Sequence, residues 1–230
     1  MLKVYGHYVS QPARSLLWLL KMHAVQFEFV QVDPLKGDCK KAEYLQKFPT
    51  GLSPAIDDSG YHLAEGPAIL QYLCEKNNWD QWYPTHSDRI RDRSKVMEYL
   101  SYHHSSTRLL SRTMVFPLLQ DKFFKKPWDV ALREQSTTNA LSTIKDFERI
   151  FLLSTPGCYV GGLKHPTIAD LIAYPEIAQL TQLGLVKLPS SDFPVLDQWL
   201  SNMQSLPMHD AVHQAVFKLA EMVNKSSIAK

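Results

Sequence analysis

The sequence predicts a two-domain protein, in which an α/β N-terminal domain is followed by an all-α C-terminal domain. Strand and helix patterns alternate in the first third of the 230 residues, whereas every periodic pattern after about residue 88 is helical. Between them, residues 77–88 lack a helical period and contain a proline, which is typical of a linker. We therefore expect domains at residues 1–78 and 88–230, joined by a linker at 79–87.

The chain opens with a strand, a helix and a second strand. Residues 2–7 predict a short strand, and Pro12 suits the first turn of a helix because its missing N–H is not needed there. Apolar spacing gives this helix one buried face, formed by Leu16, Leu17, Leu19 and Leu20. Residues 27–32 alternate with a period of two. This order predicts a parallel βαβ unit with a right-handed crossover.

The rest of the first domain predicts a helix, a hairpin and a closing helix. Residues 38–48 are charged and indicate a short or irregular helix. Short apolar segments at 54–56 and 61–63 flank Asp57-Asp58-Ser59-Gly60, whose turn chemistry predicts an antiparallel hairpin. A helix at about 67–76 then completes the order β-α-β-α-β-β-α.

The second domain is predicted to consist of a series of helices. We expect them at about 88–125, 128–153, 167–183, 192–204 and 207–224. The third begins with Thr167-Ile168-Ala169-Asp170, a capping-box pattern in which Thr167 and Asp170 each accept from the other's backbone N–H. We expect Asp170 to act in folding and not in catalysis.

Composition excludes several classes of protein. Hydrophobic residues make up 45% of the chain and charged residues 21%, which is ordinary for a folded domain, and a net charge of +2 does not indicate nucleic-acid binding. The longest apolar run, residues 16–20, is far shorter than the roughly 20 residues that span a membrane. No signal peptide is visible at the N-terminus.

The three cysteines predict neither a disulfide framework nor a metal site. Cys39, Cys74 and Cys158 are widely spaced and form no CxxC pair. No other constellation of metal ligands is apparent, so we expect no metal. A reducing, cytoplasmic compartment is the expectation.

Three short segments place polar groups where a ligand can be bound. Ser10 follows the first strand at a helix start, where a serine either caps the helix or binds an anion. Ser53-Pro54 opens a later strand, and frequency alone favours a trans bond there. Glu65-Gly66 opens a helix, whose N-terminal N–H groups attract carboxylates.

Together these segments resemble the glutathione site of the cytosolic glutathione transferases. The matching pieces are Ser10-Gln11-Pro12-Ala13-Arg14, Ser53-Pro54-Ala55-Ile56 and Glu65-Gly66-Pro67-Ala68-Ile69, and the Ser-Gln-Pro turn is most similar to the theta class. The resemblance covers nearly the whole chain. It implies a thioredoxin-like N-terminal domain, an all-α C-terminal domain, and a homodimeric cytoplasmic detoxification enzyme that uses glutathione as co-substrate and has no metal.

The resemblance also implies a catalytic role for Ser10. Its hydroxyl would hydrogen-bond the glutathione sulfur and favour the thiolate, which then attacks a small electrophilic apolar substrate such as a halide, epoxide or peroxide. Arg108 resembles an arginine that assists the thiolate, although a solvated helix arginine is an equal alternative. Tyr5 and Tyr8 are the competing hydroxyls, because other classes of transferase use a tyrosine.

The remaining expected contacts bind the glutathione backbone. A cis Ser53–Pro54 bond would turn the main chain of Ser53 towards the cysteinyl unit. Glu65 and the Gly66 N–H would receive the ammonium and carboxylate groups of the γ-glutamyl end. The resemblance further places Gln11, Cys39 and Lys40 among the glutathione-binding residues.

Three departures from the family pattern motivate a non-catalytic alternative. Gly66 replaces the serine that is usual in the family. Cys39 stands where theta-like proteins tend to have a histidine, and Leu52 stands where they often have a basic residue. Each change removes a side-chain contact to glutathione, so a transferase-like binding or assembly protein is the second hypothesis. A thiol-disulfide oxidoreductase is a poor third, because Ser10 stands where a reactive cysteine would be needed.

Overall fold

The structure, a computed structural model, describes residues 1–153, 155 and 158–228. Its N-terminal part is built on a sheet with the strand order β2-β1-β3-β4. The strands are β1 (Leu2–Gly6), β2 (Phe27–Gln31), β3 (Ala55–Asp58) and β4 (Tyr61–Ala64). β1 pairs in parallel with β2 and antiparallel with β3, and β3 pairs antiparallel with β4. The predicted βαβ unit and the predicted hairpin are both confirmed.

Helix α1 (Gln11–Met22) crosses from β1 to β2 and covers one face of the sheet. Pro12 lies in its first turn, as expected. Its four leucines are almost completely buried and share a core with Val4 and Ile56 of the sheet. The apolar period of this helix therefore fixes how α1 lies on the sheet.

The segment at 38–48 is irregular, as its composition predicts. It forms a single 3₁₀ turn (Asp38–Lys40) and then a short helix, α2 (Ala42–Lys47). In the hairpin that follows, the Asp57 side chain accepts from the Gly60 N–H at 2.8 Å, which closes the turn. Helix α3 (Gly66–Asn77) completes the N-terminal part.

The C-terminal part of the described chain consists of helices. They are α4 (Ile90–His103), α5 (Thr107–Leu110), α6 (Phe116–Phe124), α7 (Val130–Phe151), α8 (Ile168–Gln182), α9 (Pro194–Gln204) and α10 (His209–Ile228). Among the described residues, no helix combines the length and apolar character that a membrane crossing requires. The last two residues of the domain expected at 88–230 lie outside the described part.

The prediction of one continuous helix at 88–125 is wrong. The chain leaves the helical conformation at Ser106, where φ is −136° and ψ is −96°, between α4 and α5. The Ser106 hydroxyl donates to the Tyr102 carbonyl at 2.6 Å, so a side chain competes with the backbone for that acceptor. A π-helical turn (Ser111–Val115) then separates α5 from α6. The break gives Arg108 a short helix of its own.

Helix α8 is the centre of the core. Its capping box is present, with Thr167 accepting from the Ala169 N–H and Asp170 accepting from the Thr167 N–H. Every residue from 168 to 180 is buried. Because α8 packs directly against α1, the sheet-containing part and the helical part share one continuous core.

Candidate functional site

A cavity of about 750 Å³ lies where the two parts of the molecule meet. One side is formed by the turn before α1 and by the loops that precede α2 and β3. The other side is formed by α5, α6 and α10. Of the residues predicted for the site, the cavity is lined by Ser10, Gln11, Cys39, Ser53 and Arg108. The tertiary fold therefore brings together residues that are up to about a hundred positions apart in the chain.

Ser10 lines this cavity, and its side chain does not cap α1. The Ser10 backbone N–H donates to the His7 carbonyl at 2.9 Å, and the residue has extended angles, with φ −68° and ψ 127°. This is the geometry of an N-cap, but the side chain makes no capping hydrogen bond. Pro12 explains part of this, because it removes one of the two backbone donors that an N-cap serine serves.

Neither competing tyrosine lines the cavity. Tyr5 is buried beside Phe48, and its hydroxyl accepts from the Lys47 ammonium group at 3.4 Å. Tyr8 is exposed and packs against Phe29, with ring centroids 4.2 Å apart and the rings tilted by 33°. Ser10 is therefore the candidate hydroxyl that the cavity geometry favours.

The Ser53–Pro54 bond is cis, as the family resemblance implies. Ser53 lines the cavity, while Pro54 follows it into the buried start of β3. The preceding loop is held by the Tyr44 hydroxyl, which donates to the Leu52 carbonyl at 2.6 Å. The Leu52 side chain, at 47% exposure, lies on the cavity rim and not in the core.

Glu65 and Gly66 lie at the start of α3, beside the start of α1. Glu65 is exposed and has a left-handed φ of 72°, and its side chain makes no capping bond. A Cβ added to Gly66 would come within 3.3 Å of the Pro12 Cβ, so the two helix starts approach closely. Neither residue lines the cavity itself, although the contact with Pro12 places both beside the turn that carries Ser10.

Cys39 and Lys40 have different surroundings. Cys39 is only 3% exposed at the cavity wall, and burial raises the pKa of its thiol. A raised pKa keeps the thiol protonated and therefore poorly nucleophilic. Lys40 is exposed outside the cavity lining, with its ammonium group close to Gly51.

Arg108 reaches the cavity from α5 and is paired with a buried carboxylate. Its Nη1 atom lies 2.8 Å from Oε1 of Glu176, and its side chain keeps 27% of its exposure. Glu176 is in α8 and only 1% exposed. Arg108 is therefore partly exposed and ion-paired with a buried carboxylate, and its assistance to the thiolate stays a prediction.

Apart from Arg108, Ser111, Arg112 and Gln179, the helical side of the cavity is an apolar wall. This wall consists of Val115, Phe116, Leu119, Phe123, Leu219 and Met222. Such a surface binds apolar groups by removing them from water. In the described residues, no group of three or more His, Cys, Asp or Glu side chains is placed to hold a metal ion.

Three buried polar residues were missed from the sequence. Arg14, Glu176 and Gln179 are fully or almost fully buried, and Arg14 Nη2 donates to Gln179 Oε1 near the cavity floor. A signal was present, because Glu176 and Gln179 are polar positions three residues apart in a mostly apolar helix. Polar residues inside such a helix require buried partners.

Known proteins resemble this chain over nearly its full length. Residues 1–75 match the family model "Glutathione S-transferase, N-terminal domain". Glutathione S-transferase T1 of Arabidopsis thaliana is 30% identical, across 97% of this chain and 92% of its own length. Human glutathione S-transferase theta-2 is 28% identical, across 99% and 91%. The longer Arabidopsis relative T2 is 30% identical but is matched over 38% of its length.

The fold is also similar to solved structures. A human glutathione transferase theta-2 structure, described as a complex with glutathione and an unknown ligand, has a TM-score of 0.81 and 26% identity. That comparison covers 98% of this chain and 91% of the other. The apo form of human glutathione-S-transferase T1-1 has a TM-score of 0.84 at 24% identity, which supports the fold. By sequence and by fold, the chain belongs to the glutathione S-transferase family.

Proposed function

We propose that this protein is a theta-like glutathione transferase in which the Ser10 hydroxyl stabilises the thiolate of bound glutathione. The observation that carries the proposal is that Ser10 lines the cavity while its hydroxyl makes no capping bond to α1. A capping hydroxyl would be committed to a backbone N–H, whereas this one is available to a ligand. Family membership and the glutathione in the theta-2 complex support the same assignment.

A hydrogen bond from Ser10 favours the ionised form of the thiol. An ordinary thiol has a pKa of ~8.5. Each unit by which this pKa is lowered corresponds to about 1.4 kcal/mol of stabilisation of the thiolate relative to the thiol. If this pKa falls by roughly two units, most of the bound glutathione is in the thiolate form at neutral pH. The thiolate then forms a bond to an electrophilic carbon, and the leaving group departs with the electron pair of the bond that breaks.

The α/β part supplies the proposed glutathione contacts. Backbone groups of Ser53 pair with the cysteinyl unit, and the exposed Glu65 carboxylate pairs with the γ-glutamyl ammonium group. The Gly66 N–H, at the start of α3, donates to the γ-glutamyl carboxylate. Gln11, Cys39 and Lys40 complete the proposed set.

The second substrate occupies the apolar wall. Its aromatic and aliphatic side chains suit a small apolar electrophile, such as an alkyl halide, an epoxide or an organic peroxide. Arg108 adds a positive charge at the edge of the same cavity, where it favours the thiolate and a departing anion.

A thermal-shift titration with glutathione and S-hexylglutathione tests the binding site. At a hundredfold excess over Kd, a ligand stabilises the folded state by about 2.7 kcal/mol, which raises Tm by roughly 5–10 °C for a chain of this size. We expect a saturable shift in the wild type that is strongly reduced in Glu65→Gln. Glu75→Gln changes an exposed carboxylate at the other end of α3 and should keep the full shift.

The absence of any shift in the wild type at ~10 mM glutathione would contradict the proposal, because that concentration exceeds a modest Kd many times. It would favour the non-catalytic alternative, in which Gly66 and Leu52 have weakened the site. A shift that Glu65→Gln and Glu75→Gln retain equally would place glutathione elsewhere.

We also expect a homodimer in a reducing, cytoplasmic compartment. The three cysteines are free thiols, and Cys39 and Cys74 are buried, which suits a reducing environment. Dimerisation is inferred from the family. Light scattering on the purified protein tests it, with the mass of two chains as the expected result and that of one chain as the contradiction.

A further inference from the structure

A buried carboxylate links the helix that carries Arg108 to the centre of the core. Glu176 Oε1 accepts from Arg108 Nη1 at 2.8 Å. Arg108 lines the cavity, whereas Glu176 does not and is only 1% exposed. Glu176 can therefore influence a bound substrate only through a neighbour.

Two further side chains, Arg14 and His103, lie near this carboxylate. Arg14 is completely buried one helical turn after Ser10, and the negative charge of Glu176 opposes the burial that lowers the pKa of Arg14 to about 9. The His103 Nε2 atom lies 3.6 Å from Glu176 Oε1 and is also buried. One buried charge is thus shared among groups from α1, α4 and α5.

Burial makes the pair with Arg108 strongly preferred. An isolated ionised carboxylate inside a protein is very costly, so it retains a hydrogen-bonded cation beside it. Arg108 is partly exposed and, without such a partner, its long side chain has many rotamers open to it. The carboxylate therefore selects one orientation of the guanidinium group.

We propose that Glu176 is a positioning residue that holds the Arg108 guanidinium at the cavity wall. The kinetic consequence of this placement rests on the function proposed above, whereas the placement itself does not. Arg108 meets the substrates in that reaction, and Glu176 acts only through Arg108.

Chemical labelling tests the placement without any substrate. Phenylglyoxal modifies free guanidinium groups, and mass spectrometry measures its rate at each arginine separately. In Glu176→Gln, we expect modification at Arg108 to become about tenfold faster, as loss of one charge-assisted hydrogen bond implies. Arg112, an exposed arginine that also lines the cavity, should react at an unchanged rate.

A matched variant separates positioning from general loosening. Glu148 is also buried, and its Oε1 accepts from the Val195 and Leu196 N–H groups at 2.9 and 2.8 Å, at the start of α9. Glu148→Gln should lower Tm but leave the labelling of Arg108 unchanged. Equal acceleration at Arg108 in both variants, or none in Glu176→Gln, would overturn the proposal.

A double-mutant cycle tests the kinetic consequence. We expect Glu176→Gln and Arg108→Gln each to lower kcat/KM for a model electrophile by about tenfold. In the Arg108→Gln background, Glu176→Gln should change kcat/KM by less than about twofold, because its effect passes through Arg108. Independent roles would multiply to about a hundredfold and contradict the proposal. Absence of turnover in the wild type would reject the proposed function alone, and the labelling result would still decide the positioning role.

Discussion

At the residue scale, the backbone around Ser10 explains why its hydroxyl is available. The chain turns at His7 to Ser10 and enters α1 with extended angles at Ser10. Pro12 takes away one donor that a serine cap would serve, and the side chain makes no capping bond. A residue type that usually stabilises a helix end therefore lines the cavity without a capping bond.

Ser10→Ala tests this role through the pH dependence of turnover. Removing the donor destabilises the bound thiolate, so the pKa of the bound thiol should rise towards the reference value near ~8.5. We expect the pH profile of kcat/KM to move up by roughly one to two units, with a tenfold or greater loss below neutral pH. Steady-state kinetics from pH 6 to 9 and the ultraviolet absorbance of the thiolate measure both effects.

Ser15→Ala is the matched control for that experiment. Ser15 lies in the same helix, is completely buried, and donates to the Gln11 carbonyl at 3.2 Å, outside the cavity lining. The pH profile of kcat/KM for Ser15→Ala should coincide with that of the wild type. An unchanged profile in Ser10→Ala would show that another group stabilises the thiolate.

At the scale of elements, α8 organises the helical part through its capped N-terminus. Asp170 accepts from the Thr167 and Val160 N–H groups at 2.8 Å and from Trp199 Nε1 at 2.9 Å. One carboxylate thus joins the start of α8 to the preceding loop and to α9. The same helix carries Gln179, which lines the cavity, and the buried Glu176, which pairs with Arg108, so its end must be well defined for the site to form.

Asp170→Ala should be severely destabilising. Four buried donors lose their acceptor, namely the three N–H groups above and the Thr167 hydroxyl at 3.1 Å. Each group that stays unsatisfied costs about 1–3 kcal/mol. We expect the free energy of unfolding to fall by roughly 3–5 kcal/mol, measured by urea denaturation.

Asp129→Ala supplies the comparison. Asp129 is the exposed N-cap of α7, and its side chain accepts from the Leu132 N–H at 2.9 Å. Its loss should cost about 1 kcal/mol. Similar losses in both variants would contradict the central role assigned to the buried cap.

At the scale of the whole molecule, the two parts act as one folded body around α1 and α8. His213 on α10 is part of their contact, completely buried against Trp18 and Tyr174, with ring centroids 5.0 and 5.3 Å away. Its Nδ1 atom donates to the His209 carbonyl at 2.8 Å. Burial and the positive charge of Arg14 lower the pKa of His213 to about 2.

This lowered pKa predicts a loss of stability in mild acid. In the unfolded chain His213 has an ordinary pKa of ~6.5 and binds a proton below that pH. In the folded protein the His213 side chain stays neutral in the same pH range. Because the unfolded state binds more protons, the free energy of unfolding should fall by about 2 kcal/mol between pH 7 and pH 5 through this group alone.

Urea denaturation of the wild type and of His213→Gln at both pH values measures this contribution. We expect the variant to be less stable than the wild type at both pH values. Because glutamine does not titrate, the free energy of unfolding of the variant should fall by about 2 kcal/mol less on acidification. Equal losses in the two proteins would show that His213 does not control acid stability.

The sequence by itself determined most of the element order and the family. Apolar periods and turn chemistry predicted the βαβ unit, the hairpin and most helices, because these depend on neighbouring residues. The break at Ser106 was missed, since a serine hydroxyl that takes a backbone acceptor leaves no distinct pattern. Three short segments predicted the family, which the relatives confirm. The catalytic role of Ser10 and the domain boundaries stay predictions.

Only the tertiary structure decided which side chains meet. It separated Ser10 from Tyr5 and Tyr8, left Lys40 outside the cavity lining, and paired Arg108 with Glu176 across 68 positions of sequence. The physical reason is that burial and ion pairing depend on how helices pack, and local patterns do not specify the partner of a buried charge. The sequence determined the elements, and their packing decided the electrostatics of the cavity.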